Sequence, residues 1–223
     1  MGTVIFDLDG TLADTSGDLI AAANACFRDM GLGDVLRHNE DAAIALRGGR
    51  MMLTRGLERA GRFEPSVVDA YYPFLLDAYA REIDRHTVLY PGAMGAVERL
   101  KALGYNVGIC TNKPEELAHL LLNRLGIRGE FASLVGADTL AVRKPDPEPL
   151  RESVRRAGGD PARCVLVGDS DTDRNTARAA GVPSVLVTFG PSGDDMAALM
   201  PEALLHSFDD LPDVVDQLIG RHR

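Results

Sequence analysis

Two aspartates, Asp7 and Asp9, follow directly on an apolar run near the start of the chain, in the stretch VIFDLDGTLADT at residues 4–15. In an extended chain, residues two apart face the same side, so both carboxylates point one way while Leu8 points the other. Two carboxylates this close repel each other, and the end of a buried strand solvates them poorly. The pair therefore predicts a site that requires a partner cation.

Five short runs rich in β-branched residues have the nearly continuous apolar character of strands buried on both faces of a parallel sheet. Stretches with helical spacing lie between them, and this alternation predicts an α/β fold with a doubly wound, mostly parallel, Rossmann-like sheet. The predicted strands are 3–6, 106–110, 132–136, 164–167 and 184–187, and the predicted helices are 93–103, 115–125, 148–157 and 172–180.

The connection between the first two strands is too long for a simple crossover. From residue 14 to about residue 87 there is no convincing strand, only helix-like segments such as 16–31 and 69–83. We interpret residues 15–87 as an inserted all-helical domain, and residues 1–14 together with 88–223 as the α/β core. Pro91 and Gly92 punctuate the return to that core.

Polar side chains follow four successive strands of the predicted sheet. Ligands of open α/β sheets bind at the carboxyl ends of strands near the point where the strand order reverses, so we expect these groups on one rim. A helix that begins near Ser170 would also bring Asp169 and Asp173 together. The groups are Asp7 and Asp9 after the first strand, Thr111 and Asn112 after the second, Lys144 after the third, and Asp169 and Asp173 after the fourth.

The charge on this rim predicts a metal ion. The four aspartates carry four negative charges and Lys144 restores one positive charge, so the predicted pocket has a formal charge of −3. Oxygen ligands without His or Cys nearby favour Mg²⁺. With the metal bound, Gly10 would let the backbone approach closely and offer N–H groups to a phosphate.

The stretch DSDTDRNTARAA offers an alternative metal site, because Asp169, Asp171 and Asp173 alternate as in a calcium-binding loop. Two positions argue against that interpretation. The sixth residue is Arg174 where such loops have Gly, and the twelfth is Ala180 where they have Glu. We expect Asp171 to cap a helix or to be solvated.

Composition limits the classes of partner. The chain has 223 residues, a formal net charge of −9 and a pI of about 5.0, which argues against a nucleic-acid surface. No apolar run approaches the length needed to span a bilayer, and the start of the sequence lacks the features of a signal peptide. Cys26, Cys110 and Cys164 are widely spaced, as expected for buried thiols in a cytoplasmic protein.

The four motifs together resemble those of the haloacid dehalogenase superfamily of phosphotransferases. The stretch DLDGT, a Thr after the second strand, a Lys before PDP, and GDSDTD match its motifs in order. The resemblance covers essentially the whole chain, and the predicted helical insertion corresponds to the cap of many members. Motif spacing, cap size and the stretch LYPGAMGAVERLKALGYNVGICTNKP are most similar to the phosphoglycolate phosphatase group.

The resemblance implies a role for each motif. Asp7 would be the nucleophile that forms an aspartyl-phosphate, and Asp9 would protonate the leaving oxygen and then deprotonate the hydrolytic water. Thr111 and Lys144 would hold the phosphoryl oxygens.

The remaining assignments concern the metal and the first loop. Asp7, the backbone carbonyl of Asp9, and Asp169 would ligate Mg²⁺, with Asp173 supporting them. Thr11 would help to orient the first loop beside the substrate.

The expected substrate is a small phosphorylated metabolite, with 2-phosphoglycolate as the specific hypothesis. In the inserted segment we expect Arg47 or Arg50, beside Gly48 and Gly49, to meet a second anionic group of the substrate. The presence of Asp9 argues against dehalogenase and phosphonate-cleaving relatives, and Thr11 favours a phosphatase over a mutase.

Several alternatives stay open at the level of sequence. They are a β-phosphoglucomutase-like phosphosugar mutase and a pyrophosphatase or nucleotidase of the same superfamily. A phospho-Asp receiver module is a different class, but receivers are about half this length and place the acceptor after an interior strand. We expect a monomer or a homodimer.

Overall fold

The computed structural model of the protein describes residues 2–191 and 193–220. In this part of the chain the strands include the five that the sequence predicts, each with an apolar and mostly buried pattern. The strands are β1 Thr3–Phe6, β2 Ala13–Asp14, β3 Val88–Leu89, β4 Asn106–Cys110, β5 Ser133–Val135, β6 Cys164–Gly168, β7 Ser184–Val187 and β8 Ala203–Leu205.

The α-helices connect these strands and also fill the long segment between β2 and β3. Three short 3₁₀ segments, Arg128–Glu130, Gly193–Leu199 and Phe208–Asp210, complete the described chain. The helices are α1 Ser16–Asp29, α2 His38–Ala45, α3 Gly49–Arg59, α4 Pro65–Arg81, α5 Ala93–Ala102, α6 Glu115–Arg124, α7 Glu148–Arg156, α8 Asp171–Ala180 and α9 Leu211–Ile219.

The chain forms two compact units, one of residues 1–13 and 89–223 and the other of residues 14–88. The first unit contains a six-stranded sheet of order β5-β4-β1-β6-β7-β8, and the pairings along it are parallel. The helices α5 and α9 pack together on this sheet, as do α7 and α8. The predicted doubly wound α/β fold is therefore confirmed.

The strand order places β1 at the centre of the sheet. The chain continues from β1 to β4 and β5 on one side and then returns to β6 on the other side of β1. Open α/β sheets bind ligands beyond the carboxyl ends of their strands at such a reversal. The residues that follow β1, β4 and β6 are therefore neighbours by topology.

A buried apolar cluster fixes the strands that carry these residues. Cys110 and Cys164 are members of it, and the three thiols of the chain are free and buried. Burial raises the pKa of Cys164 to about 12, so this thiol is inert at neutral pH. The cluster consists of Ile5, Cys110, Leu150, Val154, Cys164, Leu166, Ala177 and Val182.

The second unit contains the helices α1 to α4. Helix α3 packs against α1 at Gly56, where a Cβ atom would lie 2.0 Å from Cζ of Phe27. The buried carboxylate of Asp41 forms an ion pair with Arg59, which holds its pKa below the usual value. Of the described helices, none is both long and apolar enough to cross a membrane.

Three strands of the described chain, β2, β3 and β8, were not predicted from the sequence. The strands β2 and β3 have two residues each and pair with each other, and such short elements leave no periodicity. The strand β8, Ala203–Leu205, lies at the edge of the large sheet and is only partly buried. The strand β5 is equally short but fully buried, so the partial burial of β8 explains why it was not predicted.

Candidate active site

The loop after β1 is a tight turn that holds both aspartates at the end of the central strand. The N–H of Asp7 donates to the carbonyl of Val167 at 2.8 Å, which continues the pairing of β1 with β6. The carbonyl of Leu8 accepts from the N–H groups of the three residues 11–13. The turn thus closes on itself directly after Asp7.

Gly10 and Thr11 both make contacts that hold this turn in place, and their assignment to the substrate stays a prediction. Gly10 has φ +80°, the left-handed region that favours glycine, but its N–H donates to the carbonyl of Ala13 at 2.9 Å. That N–H therefore has a partner within the loop. The Thr11 side chain is fully buried, and its hydroxyl donates to Oδ1 of Asp169 at 3.0 Å. Thr11 therefore joins the loop after β1 to the loop after β6.

Lys144 is the cation at the centre of the site. Its Nζ lies 2.9 Å from Oδ2 of Asp7 and 2.7 Å from Oδ1 of Asp173, and its side chain is 1% exposed. The two carboxylates raise the pKa of Lys144 above its usual range, against the opposing effect of burial. Lys144 is therefore a fixed ammonium group.

The carboxylate of Asp173 accepts several hydrogen bonds. Besides Lys144, its Oδ2 accepts from the N–H of Asp169 at 3.2 Å and from the hydroxyl of Ser170 at 2.7 Å. Ser170 caps α8, as expected for a helix that begins there. The close approach needs Gly168, because a Cβ atom at this position would lie 2.3 Å from Cγ of Asp173.

Three carboxylates converge at this point. Asp7, Asp169 and Asp173 each offer an oxygen, and these oxygens lie within 4.8 Å of one another. Burial raises the pKa of Asp7 to about 6, against the attraction of Lys144, and burial together with the neighbouring Asp173 raises the pKa of Asp169 well above its usual value. The negative charges of these buried carboxylates repel one another unless a further cation is present.

Asp9 faces a second lysine that the sequence interpretation overlooked. The Nζ of Lys113 lies 2.7 Å from Oδ1 and 3.0 Å from Oδ2 of Asp9, and the two side chains are 3% and 15% exposed. The carboxylate of Asp9 is not among the three that converge. Its expected role as a metal ligand used the backbone carbonyl, and that role stays a prediction. The sequence feature that could have pointed to this contact is the lysine in the stretch TNK, which follows β4.

Lys113 also changes the charge of the predicted pocket. Four carboxylates face two ammonium groups in these loops, so the formal charge is −2 where the sequence interpretation had −3. One divalent cation would bring that charge to zero. The donors are carboxylate oxygens, the type that Mg²⁺ prefers, so the residues present fit this ion.

Thr111 and Asn112 both lie at the end of β4, and each makes hydrogen bonds to a neighbouring segment of the chain. Thr111 is 3% exposed, its N–H donates to the carbonyl of Val135, and its hydroxyl oxygen accepts from the N–H of Lys113 at 3.2 Å. The Asn112 side chain donates to the carbonyl of Lys144 at 3.0 Å. Asn112 therefore supports the loop that carries Lys144.

The alternative calcium loop does not form. Residues 171–180 are helix α8, so Asp171 is the first helical residue and is exposed. A helix cannot wrap around an ion as a calcium-binding loop does.

The residues proposed to contact the second anionic group lie in the helical unit. Gly48 has φ +98° and precedes α3, and Gly49 packs so closely that a Cβ atom would lie 2.8 Å from Cδ2 of Leu75. Arg50 forms an ion pair with Asp69 at 2.5 Å and stacks on the ring of Tyr72. The N–H of Arg47 donates to the carbonyl of Ile44. The assignment of these residues to a substrate stays a prediction.

Comparisons with known proteins agree on one family. The family model described as haloacid dehalogenase-like hydrolase matches residues 4–187. A phosphoglycolate phosphatase of Mesorhizobium japonicum is 39% identical over 93% of this chain and 92% of its own length. A phosphoglycolate phosphatase of Agrobacterium fabrum is 35% identical over 97% of this chain and 94% of its own length. The crystal structure of a predicted phosphoglycolate phosphatase from Haemophilus somnus superposes with a TM-score of 0.83 at 25% identity, over 96% of this chain and 97% of that one.

Proposed function

Because this chain belongs to the haloacid dehalogenase-like hydrolases, we propose that it is a Mg²⁺-dependent phosphomonoesterase that acts through an aspartyl-phosphate. The reaction class predicted from the sequence, a phosphoric monoester hydrolase, is confirmed by the relatives that share nearly the whole chain. The observation that carries the mechanism is the convergence of Asp7, Asp169 and Asp173 beside the buried Lys144.

In the first step Asp7 attacks phosphorus. The N–H of Leu8 donates to its Oδ1 at 2.7 Å and Lys144 contacts its Oδ2, so the carboxylate is fixed in orientation. Lys144 and Thr111 face the phosphoryl group, and the ammonium group stabilises the charge that develops on its oxygens. The bond to the leaving oxygen breaks as the aspartyl-phosphate forms.

During the first step Asp9 gives its proton to the leaving oxygen. In the second step water hydrolyses the aspartyl-phosphate, and Asp9 takes a proton from that water. Asp7, Asp169 and the carbonyl of Asp9 would hold Mg²⁺, with Asp173 in support, and the ion would supply positive charge that screens the phosphate from the carboxylates.

The specific substrate that we propose is 2-phosphoglycolate. Both curated relatives described above are phosphoglycolate phosphatases, and the phosphoryl site sees only the group that is transferred. We further propose that Arg47 or Arg50, beside Gly48 and Gly49, recognises the remaining carboxylate. The cytoplasmic location and the monomeric or dimeric state stay predictions.

The nucleophile is tested with a generic phosphate ester. Asp7→Asn should lower turnover by at least roughly 10³-fold, because the amide is a poor nucleophile. Asp209→Asn is the matched control, since its carboxylate is 75% exposed. EDTA should silence the wild type and Mg²⁺ should restore it. Near wild-type turnover by Asp7→Asn would show that the assignment is wrong.

The substrate is tested with a panel of phosphorylated metabolites ranked by kcat/KM. The panel includes 2-phosphoglycolate, hexose phosphates, nucleoside monophosphates and pyrophosphate. We expect 2-phosphoglycolate to rank first. A strong preference for a hexose phosphate would favour the mutase-like alternative, and a preference for a nucleotide or pyrophosphate would favour the others. A long-lived phosphorylated Asp7 would revive the receiver interpretation.

A further inference from the structure

Lys113 is held in place by hydrogen bonds of its backbone and by an ion pair of its buried side chain. Its N–H donates to the hydroxyl oxygen of Thr111 at 3.2 Å, and its carbonyl accepts from the N–H of Ala137 at 2.9 Å. These contacts tie its backbone to the ends of β4 and β5. Its side chain is 3% exposed and ends on the carboxylate of Asp9, which lies 104 positions earlier in the chain.

The two buried lysines divide the two aspartates of the first loop between them. Lys144 contacts Asp7 and Asp173, whereas Lys113 contacts both oxygens of Asp9. A carboxylate held at both oxygens cannot rotate freely about its terminal bond. The pairing therefore fixes the direction in which Asp9 presents its lone pairs, and it does so for the ionised form.

We propose that Lys113 is a positioning residue that holds the ionised Asp9 in the orientation needed to take a proton from water. The proposal rests on the proposed function. In this step the water oxygen bonds to phosphorus, the bond from phosphorus to the Asp7 oxygen breaks, and the Asp7 carboxylate is regenerated. The water proton passes to Asp9. Without Lys113, Asp9 would retain its chemistry but lose its alignment, and misalignment slows such steps by about 10- to 100-fold.

The test uses Lys113→Met and p-nitrophenyl phosphate. The nitrophenolate group leaves without a proton, so kcat/KM reports only formation of the aspartyl-phosphate. We expect kcat to fall roughly 10- to 100-fold while kcat/KM stays within about twofold of the wild type. We also expect a burst of nitrophenolate that approaches one equivalent of enzyme. The matched control is Lys101→Met, which removes a half-exposed lysine paired with Glu130 and should change nothing.

A purely structural role for Lys113 predicts a different result. If kcat and kcat/KM fall together without a burst, or if kcat is unchanged, the proposal is wrong. If Lys113→Met fails to fold by circular dichroism, Lys113→Gln, which keeps one N–H donor, is measured in the same way.

A double variant tests whether Lys113 acts through Asp9. In the Asp9→Asn background, Lys113→Met should not slow decay of the phosphoenzyme by more than about twofold further. A larger additional loss would show that Lys113 acts independently of Asp9. Failure of the wild type to hydrolyse any phosphate monoester is a separate outcome, and it would contradict the proposed function instead.

Discussion

Asp7 and Asp9 are two residues apart, yet they occupy different electrostatic environments. Asp7 shares Lys144 with Asp173 and lies in the cluster of three carboxylates, and Asp9 is paired with Lys113 outside it. Burial and neighbouring carboxylates raise the pKa of Asp7, against the attraction of Lys144, and this favours binding of a metal that replaces the proton. The two side chains are thus prepared for different tasks.

Gly168 is the residue on which the position of Asp173 depends. We predict that Gly168→Ala weakens Mg²⁺ binding about tenfold or more, because the new Cβ atom would displace Asp173 and with it the partner of Lys144. Isothermal titration with MgCl₂ measures the affinity. Gly129→Ala is the matched control, since a Cβ atom there would meet nothing within 4 Å. Equal affinities in the two variants would contradict the prediction.

At the scale of elements, the buried carboxylate of Asp18 joins the beginning of the helical unit to its end. Asp18, in α1, accepts hydrogen bonds from the N–H groups of His86 and Thr87 and from the hydroxyl of Thr87, at 2.8 to 3.0 Å. These contacts join the first helix of the unit to its last residues. They fix where the chain leaves the insertion.

We predict that Asp18→Asn lowers the free energy of unfolding by about 2 kcal/mol, because an amide N–H₂ would face backbone donors. Urea denaturation measures the change. The control is Asp77→Asn, which removes an exposed pair with Arg81 and should cost about 0.5 kcal/mol or less. The assignment of Asp18 as the closing contact is wrong if both variants are equally stable.

At the scale of the whole molecule, the distribution of charge makes stability depend on Mg²⁺ and pH. The chain has a formal net charge of −9, and the loops around Lys144 and Lys113 concentrate four carboxylates. The folded-state pKa of Asp7, about 6, lies above its ordinary value of 3.8. The cost of ionising Asp7 is therefore absent below about pH 4 and fully present above pH 6 in the metal-free protein.

We predict that Mg²⁺ stabilises the protein more at about pH 8 than at about pH 5. Below pH 6 the ion must displace the proton of Asp7, and its affinity should fall by at least about tenfold for each pH unit. Thermal unfolding with MgCl₂ and with EDTA at both pH values measures the difference. Stabilisation that is equal at both pH values would indicate that Asp7 does not bind the ion.

Five strands of the six-stranded sheet, its doubly wound fold and the residues that bear charge at the strand ends were predicted from the sequence. The periodicities of strands and helices are local, so the pair Asp169 with Asp173 could be placed from spacing alone. The spacing of Asp7 and Asp9 did not show that the Asp9 carboxylate lies outside the cluster and pairs with Lys113. The strand β8 was not predicted because it is only partly buried, whereas the equally short β5 is fully buried. The contact of Thr11 with Asp169 could not be predicted, because the two residues lie 158 positions apart in the chain.

The sequence by itself therefore determined which chemical groups reach the rim of the sheet, since strand ends and helix starts follow from local patterns. Only the tertiary structure decided how those groups pair. The order β4-β1-β6 brings Lys113 to Asp9 and leaves Lys144 between Asp7 and Asp173. From the sequence alone, either lysine could have formed an ion pair with either aspartate. The choice between them is made by distance and burial, because ion pairs weaken steeply when water separates the charges.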